Sequence, residues 1–252
     1  MLLAIDVGNT HALYGLHHGE RWIATWRQHT DPLLTEDEIA TFVGAMIAQE
    51  RAGAQVTRVA VCSVVPAIDE RLQQYAEQRL GLKPFFVRHD TARGLKIRIE
   101  PPESVGADRI ANAAAALHHY GRPVIVVDLG TATTFDAISP EGEYLGGAIM
   151  PGVEISMSAL FHRAAKLNKI SLWVPENAIG RSTEDSLRSG IVLGNAAAID
   201  GLVTRIAAEL GGQPTVVATG GVSKSIVDAC RTVQHVDPML TLEGIRLLAQ
   251  SS

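Results

Sequence analysis

The sequence predicts an α/β fold of two duplicated lobes, each a mixed sheet flanked by helices, with a cleft between them. Three observations carry this. A strand, glycine turn and second strand open the chain as LLAIDVGNTHALYGL, Leu2 to Leu16, and the pattern returns as VIVVDLGTATTFDAI, Val124 to Ile138. Asp6 and Asp128, which stand where the first strand of each copy meets its glycine turn, are 122 positions apart in a chain of 252 residues. A spacing of half the chain marks an internal repeat. Behind each copy, helical and extended patterns alternate, as in layered α/β folds.

In the first copy an apolar strand, Leu2 to Ile5, meets a polar turn, Asp6 to Thr10, and a second strand follows from Ala12 to Leu16. The turn HHGE leads to a third strand, Trp22 to Trp26. Then come an amphipathic helix (TEDEIATFVGAMIAQE), a strand (RVAVCSV) and a helix (PAIDERLQQYAEQRL). Pro101 and Pro102 punctuate the join, and the Ala-rich RIANAAAALHHY reads as a linking helix. This divides the chain into lobes 1–115 and 116–252. The second copy repeats the three strands as VIVVD, FDAI and YLGGAI, then carries an insertion around Met150 to Ile179. Helices within Thr183 to Leu210, the strand TVVAT and a helix VSKSIVDAC complete it.

Composition limits the function classes. Hydrophobic residues make up 46% and charged residues 19%, which suits a globular chain rather than a disordered one. The net charge is −5 and the 22 Lys and Arg form no basic run, so nucleic acid is not an expected partner. No apolar run approaches the ~18 residues of a membrane span. Asp6 interrupts the apolar start, which argues against a signal peptide and sets a cytoplasmic expectation. Cys62 and Cys230 fit no metal-ligand spacing, and the nine histidines form no zinc pattern.

The repeated turn has a chemical use. Glycine lets backbone approach a phosphate closely, successive N–H groups bind its oxygens, threonine adds a hydroxyl, and aspartate suits a magnesium ion or its water shell. One such turn is equally what an ordinary Asp-Gly hairpin produces. Two at matching places favour a nucleotide's phosphate tail. No GxxxxGK[ST] loop is present. VVATGGV, Val216 to Val222, reads either as a surface for a flat adenine or as a tight strand-to-helix turn. In ESVGADRIANA, Asp108 reads either as a helix N-cap or as a general base for a hydroxyl attacking phosphorus. Arg109 suits a substrate carboxylate.

These motifs resemble the type III pantothenate kinases of the acetate and sugar kinase, heat-shock ATPase and actin superfamily. DVGNT, CSVVP, VGADRIANA, VVDLGTATTFD, YLGGAIMPG, IGRSTEDSLRSG and TGGV follow in that family's order, nearly end to end. The resemblance implies two ribonuclease-H-like lobes and ATP-dependent phosphorylation of pantothenate, the entry to coenzyme A. It implies ATP phosphate contacts from Asp6, Val7, Gly8, Asn9, Thr10, His11, Ala12 and Leu13, with Thr131 on the second turn. Pantothenate would meet Gly106, Ala107, Asp108, Arg109 and Thr183, with Asp108 as general base. Asp128 would ligate a monovalent cation, potassium or ammonium, and magnesium would accompany ATP. A homodimer is implied, its substrate pocket bordering the subunit interface. One departure is Ile99, where the family often has a tyrosine lining the pantothenate site. Two other readings are a kinase for another small acid or sugar, and a non-catalytic accessory protein of the same fold.

Overall fold

A computed structural model describes residues 1–50, 55–163, 170–221 and 226–250. The chain forms two compact units. The first holds Met1–Leu95, Glu100–Ala115 and Thr241–Ser252; the second holds Lys96–Ile99 and Ala116–Leu240.

In unit 1, β1 (Leu2–Val7) is the central strand. It pairs antiparallel with β2 (His11–His18), which pairs antiparallel with β3 (Arg21–His29). On its other side β1 runs parallel to β4 (Arg58–Ser63), beyond which lies β5 (Phe85–Phe86). The order is β3-β2-β1-β4-β5. Leu2, Leu3, Ala4, Ile5 and Val7 are all buried, because a central strand covered on both faces has no side to give to polar residues.

Unit 2 repeats the plan. β7 (Val124–Leu129) is central, β8 (Ala132–Ile138) and β9 (Glu143–Pro151) follow antiparallel, and β10 (Thr215–Thr219) and β11 (His235–Val236) extend the other side in parallel. The order β11-β10-β7-β8-β9-β6 is the first sheet's order read from the other end, with β6 (Lys96–Ile97) added at the edge. The predicted duplication is therefore present strand for strand.

Helix α1 (Glu36–Gln49) opens with a capping box, Thr35 and Glu38 each satisfying the other's backbone N–H. Pro66 starts α2 (Pro66–Gln74), which runs on as a π turn, Tyr75–Arg79. The linking helix, α3 (Ala107–Tyr120), starts two residues before the sequence reading places it. The insertion forms α4 (Val153–Arg163). The helix expected over Val222–Cys230 falls partly outside the described residues, and Val227–Ala229 is a 3₁₀ turn.

One continuous helix, α5 (Thr183–Leu210), replaces the several expected. It is long and apolar enough to cross a membrane by length and composition alone. Its Ile191, Val192, Ala196, Ile199 and Val203 instead enter the unit 2 core with Ile125, Val127 and Phe135.

The last helix, α6 (Leu240–Gln250), departs from a division at 115/116, since all but its first residue belongs to unit 1. Glu243 accepts a hydrogen bond from Trp22 Nε1 at 2.5 Å, and Thr241 Oγ1 donates to Asn112 at 2.8 Å. A Cβ at Gly244 would collide with the Ala111 carbonyl, so only glycine allows this approach.

Candidate active site

Asp6 and Asp128 are the next-to-last residues of the two central strands. Asp6 stands between Leu13 and Cys62, and Asp128 between Thr134 and Thr219, so their register in the two sheets is the same.

The turns that follow are braced alike. In unit 1 the Gly8 N–H donates to the His11 carbonyl at 3.0 Å, closing the turn. Thr30, the residue after β3, donates its N–H to the Thr10 carbonyl at 2.9 Å and its hydroxyl to the Gly8 carbonyl at 2.7 Å. In unit 2 the Gly130 N–H donates to the Ala132 carbonyl at 3.1 Å, and Gly152, the residue after β9, donates its N–H to the Thr131 carbonyl at 3.2 Å. Carbonyl oxygens repel phosphate, and in both turns several are already engaged by these donors. Asn9, His11 and Thr131 are exposed at the tips. Val7 and Ala12 are buried in the unit 1 core, so any contact they make with a ligand is through backbone.

Asp128 lies against Gly220. A Cβ there would meet the Leu129 carbonyl at 2.5 Å and Asp128 Oδ1 at 2.6 Å, and Gly220 has φ +95°. A carboxylate and a carbonyl oxygen thus both pack closely on Gly220, and oxygen donors of these kinds are what a hard cation takes. This also explains the first glycine of TGGV, whether or not adenine rests nearby. Its Val222, with Ser223–Ser225, lies outside the described residues.

At the start of α3, Gly106 is the flanking residue, its carbonyl accepting the Ile110 N–H at 3.1 Å. Asp108 is therefore inside the first turn rather than at the N-cap. Its Oδ1 accepts the Arg109 N–H at 2.8 Å. Burial pushes the Asp108 carboxyl above the usual carboxylate range, against the opposing pull of that N–H and of the Arg109 guanidinium. A Cβ at Gly106 would meet Asp108 Oδ1 at 2.5 Å, so the glycine makes room for the carboxylate.

Gly106 and Ala107 also line a cavity of about 370 Å³ wholly within unit 1, a size that suits a small ligand. Ser63, Val64, Pro66 and Asp69 form one wall, Phe86 to His89 another, and Glu103 to Val105 complete it.

Thr183 is the exposed first residue of α5, in unit 2. Ser182 caps the helix by accepting the Asp185 N–H at 3.1 Å. Arg188, buried, binds Glu184 and Asp185 and lies 3.4 Å over the Trp173 ring, which ties the segment before α5 to its first turns. Ile99 rests near Gly146 of the same unit.

Sequence reasoning assigned no role to Thr30, Gly152 or Asp69. Gly152 had a visible signal, since it sits in the quoted YLGGAIMPG. A Cβ there would collide with the Gly130 and Thr131 carbonyls.

Paired sheets with matching Asp-x-Gly turns define a class, and solved structures agree. A Campylobacter jejuni protein named as a Baf family transcriptional activator superposes with a TM-score of 0.64 at 21% identity, covering 99% of this chain and 98% of that one. The ROK hexokinase of Thermus thermophilus gives 0.52 at 13% identity, with 99% and 98% covered. The fold is that of the acetate and sugar kinase, heat-shock ATPase and actin superfamily. Within it the assignment is sharper. The family model described as type III pantothenate kinase matches residues 2–205. A relative from Anaeromyxobacter sp., named type III pantothenate kinase, is 47% identical over 251 residues, 98% of each chain. This chain belongs to the type III pantothenate kinase family.

Proposed function

We propose that this chain transfers the γ-phosphoryl group of ATP to the primary hydroxyl of pantothenate, giving 4'-phosphopantothenate in the first step of coenzyme A biosynthesis. The observation that carries the reading is Asp108. Its carboxyl is seated against Gly106, a residue that lines a ligand-sized cavity, and has its pKa raised by burial. A raised pKa makes a carboxylate a stronger base, the property required to take a proton from an alcohol.

The substrate hydroxyl donates its proton to Asp108 as its oxygen attacks phosphorus. Gly106, Ala107, Arg109 and Thr183 hold pantothenate, with the Arg109 fork on its carboxylate. The turn from Asp6 to Leu13, with Thr131, binds the ATP phosphates. Magnesium bound with ATP supplies neutralisation of the phosphate charge. Asp128, a carboxylate beside the second turn, would hold a monovalent cation, potassium or ammonium, and would supply it to offset phosphate charge.

The protein works in the cytoplasm as a homodimer. Support for the dimer comes from unit 2, where Leu145 and Ile149 of β9, Ile155 and Leu160 of α4, and Trp173 are exposed. Apolar surface gathered along neighbouring stretches suits a partner subunit. Release of ADP that depends on added pantothenate tests the reaction. Equal release without it, or only with a sugar or another acid, would refute it.

A further inference from the structure

We infer that Asp69 is a specificity-determining residue of the pantothenate pocket, accepting a hydrogen bond from a donor of the substrate other than the reacting hydroxyl. This rests on the reading above. Asp69 lines the cavity beside Gly106 and Ala107. Its Oδ1 is buried and has no hydrogen-bond partner among the described residues. A buried acceptor left unmade is costly, and where one persists in a pocket wall a ligand donor is the natural explanation.

Both serines of the cavity wall are already engaged. Ser63 Oγ accepts the Val65 N–H at 3.1 Å, and Ser104 Oγ donates to the Pro101 carbonyl at 2.6 Å. Arg88 stacks on the Phe86 ring at 5.4 Å. Val64, Val87 and Val105 give the cavity an apolar lining, suited to a gem-dimethyl group. Pantothenate has three neutral donors. The primary hydroxyl reacts, which leaves the secondary hydroxyl and the amide N–H. A carboxylate here also repels the substrate's own carboxylate and so sets which end enters.

The test measures kcat and KM for wild type, Asp69→Asn and Asp69→Ala. The substrates are pantothenate, an analogue lacking the secondary hydroxyl and an analogue N-methylated at the amide. With wild type, one analogue should show a KM raised about 10- to 100-fold, the worth of one hydrogen bond to a charged acceptor. Asp69→Ala should raise the pantothenate KM by a similar factor, with kcat within a few-fold and the ATP KM unchanged. The penalty for that analogue should then vanish, and which analogue behaves so identifies the donor. Asp69→Asn, a neutral acceptor of the same shape, should fall between and carries the test if the alanine variant unfolds.

An unchanged pantothenate KM in both variants would overturn the inference while leaving the reaction standing. So would an analogue penalty that survives in the variants, or a loss shared equally with ATP. A wild-type protein inactive on pantothenate would overturn the functional reading itself, and this inference with it.

Discussion

Gly106→Ala should cripple turnover while leaving the fold nearly intact. The added Cβ would meet Asp108 Oδ1 at 2.5 Å, where ordinary contacts begin near 3.4 Å. The carboxylate must therefore retreat by about 0.9 Å, whereas Val64, at 3.7 Å, need not move. A misplacement of about 1 Å at a reacting group can cost roughly 10²-fold. The atom displaced is the far end of a side chain, so packing survives. Alanine is a poorer residue than glycine at a helix start, by about 1 kcal/mol, which lowers the melting temperature by roughly 2–4 °C in a chain of this size. Steady-state ADP release and a thermal melt on the same preparation read both quantities. Near wild-type kcat in the folded variant would refute the argument that Gly106 seats the base.

Asp108→Asn should lower turnover by roughly 10²–10⁴, the usual contribution of a general base. It should also raise stability at neutral pH. The folded-state pKa of Asp108 is raised, so its ionisation in the fold is penalised. The asparagine advantage is full above that pKa and disappears below the ordinary carboxylate pKa of about 3.9, where wild type is protonated both folded and unfolded. Melting curves between acidic and neutral pH would contradict this if the variant were the less stable at neutral pH. The KM for ATP should lie near 1 mM, the upper end of the usual range. The Gly8 and Gly130 N–H groups already close their own turns, and neither turn segment contains Lys or Arg; a low micromolar value would mean that a cationic partner had been missed. Activity should need potassium or ammonium, and full activity in sodium-only buffer with magnesium would refute the role given to Asp128. Sedimentation should show a dimer, and a monomer still active on pantothenate would count against it.

The central strands and their turns were legible because their signals are local. An unbroken apolar run meets Asp-x-Gly within a dozen residues, twice. Helix α6 was not legible. Gly244 in TLEGIRLLAQ reads as a helix weakener, and what favours it is Ala111 on α3, far away in sequence. Strands β5, β6 and β11, two residues each, are too short to show a period. At the site, the motif around Asp108 stood out, but the reason for Gly106 did not, since only coordinates show which atom a missing Cβ would strike. The cavity draws on separate segments around residues 63–69, 86–89 and 103–107, and no linear motif contains it. Thr30 carries nothing in its neighbourhood that marks it as the brace of a turn twenty residues earlier.

The membership of α6 in unit 1 bears on the order in which the protein can be completed. Domains usually close in the order in which the ribosome delivers them, the N-terminal one first. Here the sheet of unit 1 emerges first, but the helix that packs on Ala111 and bonds Trp22 and Asn112 emerges only after all of unit 2. The unit begun first is finished last. Until α6 arrives, the stretch of α3 just beyond Asp108 lacks the backbone it is shaped to meet, so the proposed base becomes fully supported only after all of unit 2 has been made.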